Sequence, residues 1–444
     1  MSRTFSLSLL AGAAISVSGT AAIADTNTNS DEVRALVSEM LNDAQTRSSL
    51  LQGGGSAGHD GHFFMASADG NFRLNVSGQV QFRWVLNTGD EAANASYGAV
   101  AGSGGNDDFQ HGFENRRTKL VFSGDAFGDW FYKIQGAFSS SGGGFGLQDA
   151  YVGTTLEDGA KLVFGQFKVP LHREELVSSK HQQAVDRSLT NEYFNAGRTQ
   201  GIAYKGESGD NFRYAIALTD GAGQANTFFG DVQDAASPVA DSDIAITARG
   251  EILLEGSWDV FKDMTSAPGQ EQAMMLGFAA HYQQGAEEPG AGNFDDADLT
   301  AYTVDFSMEG DGWNAFAAFS AQNVDPQTVG ASDSDDFGFV VQGGYYFNDD
   351  TEGFLRYDML AVDDNRFGAG GNDEISTITF GVNHYLHGHA AKLTVDANFA
   401  LDEAVTTAGA GLGTNVMFTN PGIGYLGDDD SDEFYIRAQL QLLF

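Results

Sequence analysis

The 444-residue sequence has no cysteine, 6 prolines, and 23 lysines and arginines against 61 aspartates and glutamates. Without cysteine there are no disulfides and no thiolate chemistry, and the chain can cross an oxidising compartment without bridging errors. A formal net charge of −38 argues against a nucleic-acid partner, because nucleic-acid phosphates repel an acidic surface. Beyond the N-terminus no run of 18 or more apolar residues occurs, so no helix is expected to span a bilayer. That test does not reach β-strands, where only alternate residues face lipid, and a mean hydropathy of −0.23 suits such a barrel. Neither H-E-x-x-H nor a P-loop is present, and no Ser–His pair faces one side, so no enzyme activity is expected.

What is abundant points the same way. There are 57 glycines and 34 phenylalanines, which suit many strands joined by Gly/Asp turns. The first residues read as a targeting segment: Arg3, an apolar core from Leu7 to Val17, and the small-x-small site Ala22-Ile23-Ala24. Cleavage before Asp25 is expected, which leaves 22 basic and 61 acidic residues. Residues 25–70 then read as a short periplasmic helix and a Gly-rich linker. Val33, Leu36, Val37, Met40, Leu41, Ala44, Ser48 and Leu51 share one helical face, capped by Ser30 and stopped at Gly53. Two readings stand for it: a coiled coil or plug-like helix, and a helix resting on a barrel rim.

From Asn71 the period becomes two. In residues 72–86, Phe72, Leu74, Val76, Val80, Phe82, Trp84 and Leu86 share a face, with Arg73, Asn75, Gln79, Gln81 and Arg83 opposite. About sixteen such segments run to residue 444, an even number. Tight turns alternate with long loops rich in Gly and Asp, the pattern of an outer-membrane barrel. The fold class expected is therefore all-β, a transmembrane antiparallel barrel over 71–444. One connection breaks the alternation, Glu255 to Ala273, which is either a miscount or an insertion carrying Trp258 and Phe261 under the barrel. The last strand ends on Phe444, a C-terminal pattern that resembles the signal read by the barrel-insertion machinery.

The cations are unevenly spread. Fourteen of the basic residues lie between Arg73 and Arg213, and only six follow. By strand parity Arg73, Arg83, Arg117, Lys119, Lys133 and Lys168 are expected to line the lumen. After Lys168, Pro170 ends sheet pairing, and a stretch of about thirty residues adds Arg173, Lys180 and Arg187. That stretch is expected to fold into the bore, where clustered cations concentrate anions. Equally, they can neutralise Glu174, Glu175, Asp186 and Glu192 and leave little selectivity. Acidic loops hold Asp295, Asp296 and Asp298, Asp333, Asp335 and Asp336, and Asp428 to Glu433. They read as solvated charge, with loop-bound Ca²⁺ or Mg²⁺ as the alternative. His384, His387 and His389 straddle a tight turn, and no metal site or other cofactor is expected there.

The run FENRRTKLVFSGDAFGDWFYKIQGAF, then LQDAYVGTTL and GQFKVPLHREEL, resembles the phosphate-selective (polyphosphate-selective) porins of Gram-negative outer membranes. Arg116-Arg117, the Gly165-Gln166-Phe167-Lys168 strand end with Pro170, and Arg198 before Gly201 carry the likeness. The resemblance covers about residues 71–221 and implies a sixteen-stranded homotrimeric barrel with its third loop turned inward. It implies anion guidance by Arg117, Lys119, Lys133, Lys168 and the loop cations. The scarcity of cations beyond Arg213 departs from a strongly basic lumen. The expected function is thus a porin for passive diffusion of small hydrophilic solutes and ions, set in outer-membrane lipid. Its rivals are a plugged structural or adhesion barrel and a soluble β-rich sugar-binding protein.

Overall fold

The computed structural model describes residues 38–39, 55–88, 110–140, 143–228, 242–285, 297–326, 332–363, 374–402 and 433–444. The targeting segment and most of residues 31–52 lie outside these; Ser38 and Glu39 are helical. The chain divides into Met1–Gly55 and Ser56–Phe444, and the second unit carries the fold. It opens with a hairpin, β1 (Ser56–His59) and β2 (Phe63–Ala66). The first barrel strands are β3 (Arg73–Thr88), β4 (Gln110–Ala126), β5 (Trp130–Phe138), β6 (Phe145–Thr155) and β7 (Lys161–Lys168). Next come β8 (Arg198–Ser208), β9 (Phe212–Thr219), β10 (Ser242–Glu255), β11 (Ala273–Gly285), β12 (Ala297–Gly310) and β13 (Trp313–Pro326). The last are β14 (Ser334–Asn348), β15 (Thr351–Ala361), β16 (Glu374–Tyr385), β17 (Ala391–Ala400) and β18 (Phe434–Leu443).

Each barrel strand pairs antiparallel with its neighbours in sequence, and β18 returns to β3, so β3 to β18 close a sixteen-stranded barrel. Along β3 the burial alternates inside out: Gln81 and Arg83 are 1 % and 0 % exposed, while Phe82 between them is 43 % exposed. Polar side chains thus face the enclosed side and apolar ones face outward, as a barrel in lipid requires. Sixteen strands enclose a lumen wide enough for an aqueous channel unless something fills it.

Two features of the seam were hidden from pattern reading. Residues 56–66, read as linker, form the β1–β2 hairpin instead, and β2 pairs with the first residues of β3 where β18 has ended. Between the two, Gly78 exchanges both backbone hydrogen bonds with Phe444, at 2.7 and 3.1 Å. A Cβ at Gly78 would collide with the Phe444 ring, so only glycine leaves room there.

The irregular connection after β10 is a true insertion. β10 and β11 pair along their whole length, so the strand count stands. Residues 256–272 form a short 3₁₀ turn, Trp258–Lys262, on the short-turn side. Phe261 is buried against Ala273 and Met275, and Trp258 is part-buried beside them.

Candidate functional site

The basic stretch after β7 folds into the barrel. Gly165 has φ of 123° where β7 passes close to the backbone of Ala150 and Tyr151, and no other residue adopts that angle without strain. Past this irregularity Gln166 and Phe167 are both buried, alternation stops, and the chain turns inward. The loop holds two short helices, α1 (Arg173–Leu176) and α2 (Leu189–Phe194), with a 3₁₀ turn at Ser179–His181 between them. Ser188 caps α2, its hydroxyl accepting from the Asn191 amide at 2.9 Å.

Apolar side chains seat the loop against one arc of wall. Leu189, Tyr193 and Phe194 pack on Leu360, Val362, Ile375 and Tyr435. Val169, Leu171 and Ala196 pack on Ala279 and Ala301. Val177 meets Phe316 and Val340, and joins Met264 of the β10–β11 insertion. The insertion reaches the loop from the other side of the barrel, where the Met264 amide donates to the His181 carbonyl at 3.1 Å.

Polar groups of the wall satisfy the loop's backbone and side chains. Lys392 donates to the Gln182 carbonyl at 2.6 Å, and Arg356 to the Asp186 carbonyl at 3.1 Å. Glu352, 0 % exposed, accepts from Gln183, Asn314, Asn383 and Tyr385 at 2.6 to 3.0 Å.

At the centre lies Asp186, 1 % exposed. Four guanidiniums converge on its carboxylate: Arg83 at 2.6 Å, Arg117 at 2.5 Å, Arg437 at 3.1 Å and Arg116 at 3.2 Å. Burial alone would raise its pKa, but these neighbours hold it well below the ordinary carboxylate range. Arg116 is the extra residue of a β-bulge in β4, opposite Gln81 and Phe82, which turns two successive arginines to the same side. Arg83 also pairs with Glu114, and Arg437 with Asp396 at 2.7 Å.

The other expected residues fall as follows. Lys133 and Arg198 share Asp149, each at 2.6 Å. Lys168 and Arg187 share Glu175, at 3.2 and 3.1 Å; burial opposes its charge, yet the two cations bring its pKa down to about 2. Arg173 donates to Ser307 at 2.8 Å and to the carbonyls of Phe261 and Asp263, pinning the loop to the insertion. Lys180 is half-buried, its carbonyl accepting from Gln441 at 2.9 Å. Arg73 sits at the hairpin end of the barrel, paired with Asp60 and stacked 4.3 Å over Phe64. Lys119, like Arg173 and Lys180, forms no ion pair among the described residues. Its amine meets only the Ser179 hydroxyl, at 3.5 Å, and no carboxylate lies within ion-pair distance among the described residues. A cavity of about 500 Å³ on the long-loop side is lined by Arg116, Arg117, Lys119, Ser139 and Gln148.

Sequence reasoning named Arg116 and Arg198 only as marks of the family likeness and did not place them, or Arg249, Arg356, Lys392 and Arg437, at the site. Strand parity carried a signal for Arg437, which alternates with Gln439 and Gln441. It carried none for Arg116, because a bulge leaves no mark on composition. No group of metal-ligating side chains occurs among the described residues. Asp295, Asp296 and Asp428 to Asp432 lie outside them. Asp336 accepts from Tyr193 and Gln322, each at 2.8 Å, and so serves the loop. His389 contacts Thr265 at 3.1 Å, and its ring lies 5.0 Å from that of His181 at a tilt of 58°, joining the insertion to the loop.

A closed sixteen-stranded barrel, apolar outside and polar within, with an inward loop beside a cationic wall, defines an outer-membrane porin. More narrowly, the chain belongs to the family of phosphate-selective porins O and P, whose profile matches residues 88–408. Solved structures share the fold. An anion-selective porin from Comamonas acidovorans aligns with TM-score 0.55 and 13% identity, over 84% of this chain and 99% of its own. The outer-membrane channel DcaP of Acinetobacter baumannii aligns with TM-score 0.52 and 16% identity, over 83% and 97%. In vitro folded OmpT of Vibrio cholerae, in a trimer form, aligns with TM-score 0.50 and 12% identity, over 84% and 99%. Comparison with curated protein sequences finds no match.

Proposed function

We propose that this porin passes small anions by diffusion past a constriction between the inward loop and β4 to β8. The observation that carries the reading is the charge balance there. Arg83, Arg116, Arg117, Arg437, Lys133, Arg198, Lys168 and Arg187 share Asp186, Glu114, Asp396, Asp149 and Glu175, and Lys119 has no carboxylate within ion-pair distance among the described residues. With Arg356 on Glu174 and the loop's Glu192 included, ten cations face seven carboxylates, and the excess leaves positive potential in a narrow space with low-dielectric walls, where its reach is long. Lys119 and Arg117, which line the cavity on the long-loop side, are the groups a passing anion meets. Arg83, Arg173 and Lys180 act on the loop's position. Trimeric assembly, supported by the OmpT trimer form, and removal of residues 1–24 on export belong to the same reading.

Planar-bilayer recordings of the full chain test it. An anion-selective reversal potential in a KCl gradient, shifted toward cations by Lys119→Glu, is the expected result. A cation-selective wild type overturns it. Absence of any conductance would favour a plugged, structural barrel, a reading suggested by the loop's packing against the wall and the insertion. Cross-linking to a species other than a trimer, or an N-terminus other than Asp25 in membrane-extracted protein, would remove the corresponding part.

A further inference from the structure

On the short-turn side of the loop, a second cavity of about 490 Å³ opens between β7, β8, β9 and β10. That volume is typical of a small-molecule site. Its upper wall is mostly apolar, built from Phe167, Pro170, Leu176 and Ala203, with Lys168 beside them held by Glu175 at 3.2 Å. Phe167 and Ala203 belong to a buried cluster with Val163 and Ala217, so this wall is fixed by packing. The charged groups at its lower rim are mostly balanced: Arg213 pairs with Glu207 at 2.7 Å, and Arg249 with Glu251 at 2.9 Å and Asp305 at 2.8 Å. Asp158 is engaged by the Ala160 amide at 3.0 Å and by Tyr204 at 3.5 Å.

Two charges remain. Lys161 and Lys205 stand directly opposite each other on β7 and β8, both exposed, with no carboxylate in ion-pair distance among the described residues. Like charges directly opposite on an antiparallel pair repel and destabilise the pairing. An anion lying between the two amines relieves that repulsion. An inorganic anion would do so but would gain nothing from Phe167 and Leu176. A carboxylate attached to an apolar body satisfies both halves of the cavity.

We propose that this cavity is a binding site for organic anions with an apolar body, such as aromatic monocarboxylates, held at the carboxylate by Lys161 and Lys205. The proposal rests on the anion-conducting reading above and names a solute class for it. The porin would accordingly favour amphipathic carboxylates over inorganic phosphate on this stretch of the path.

Benzoate and acetate share a carboxylate and differ in the ring, which makes them the probes. Each is titrated into the short-turn side of bilayers holding the full chain, and the fall in KCl conductance is followed, with phosphate as comparator. Benzoate is expected to block at about tenfold lower concentration than acetate or phosphate. Lys161→Gln with Lys205→Gln should weaken block by both carboxylates, whereas Leu176→Asn should weaken benzoate alone. Heat-modifiable mobility of each variant confirms a closed barrel. Equal block by benzoate and acetate, or benzoate block untouched by the double lysine change, overturns the site. A cation-selective reversal potential with benzoate block intact would instead remove the parent reading and leave the site standing.

Discussion

The wall from β10 round to β18 is packed against the inward loop, while the wall from β5 to β9 borders two cavities. Residues on the first arc are committed to the loop: Ser320 to His172, Arg356 and Lys392 to loop carbonyls, Glu352 to Gln183. On the second arc Lys161 and Lys205 are exposed and the nearest loop residues are those at its start. The same alternation of polar and apolar residues builds both arcs. What separates them is whether an inward polar group meets a fixed partner or water, and with it whether that group serves stability or transport.

Several substitutions would break or sharpen this contrast. The largest effect is expected from Asp186→Asn, which leaves the buried Arg83 and Arg437 and the part-buried Arg116 and Arg117 without their shared anion and costs about 3–5 kcal/mol. A lowered thermal transition in circular dichroism, with noisy single-channel current, is the expected outcome. Asp149→Asn, on the other arc, should cost less because Lys133 and Arg198 are part-exposed to solvent. Should the two variants melt alike, the arcs do not differ in the way described.

Arg173→Ala comes next, since it removes the link among β12, the loop and the insertion, at about 1–3 kcal/mol. Conductance should rise as the loop loosens, and an unchanged single-channel amplitude would mean the insertion alone holds the bore. A third comparison sets Lys392→Met beside Lys119→Glu. Lys392 is buried on a loop carbonyl, so its loss should lower stability and leave the reversal potential in place; a shift as large as that of Lys119→Glu would show that the packed arc conducts.

The smallest effect is in pH. Burial lowers the pKa of His172 and of His181 to about 4, from 6.5. His172 faces Arg249, Asp305, Glu175 and His281, and His181 faces His389, Lys180, Asp263 and Lys392. Because the docked loop binds these protons less readily than an undocked one, its docking is fully supported above pH 6.5. That support declines as pH falls from 6.5 toward 4. Current noise should grow over this window, and His172→Gln should flatten the response; noise that instead grows only above neutral pH contradicts the sign.

Much of this was legible in the chain. Strict alternation, with Gln79, Gln81 and Arg83 against Phe82 and Trp84, marked strand faces that the burial pattern reproduces. All sixteen segments read from the sequence overlap barrel strands, because each keeps its period over most of its length. The loop announced itself by losing that period after Phe167. What stayed hidden depended on contacts between distant segments. The hairpin at 56–66 exists because β18 stops short of the start of β3, a matter of stagger and not of local propensity. The clustering of cations before Arg213 drew weight from Arg249, Arg356 and Arg437, which later strands bring beside the loop.

Asp186 touches β3 through Arg83, β4 through Arg117 and β18 through Arg437. β3 and β18 are the two ends of the sheet, joined only when the cylinder shuts. One carboxylate from the middle of the chain therefore straddles the last joint of assembly. Without the loop Arg83 would keep Glu114 and Arg437 would keep Asp396 at that joint, but both would lose Asp186, and an open cylinder would leave the loop's anion short of partners. Loop entry and closure of the cylinder therefore favour one another, through an aspartate far from either terminus.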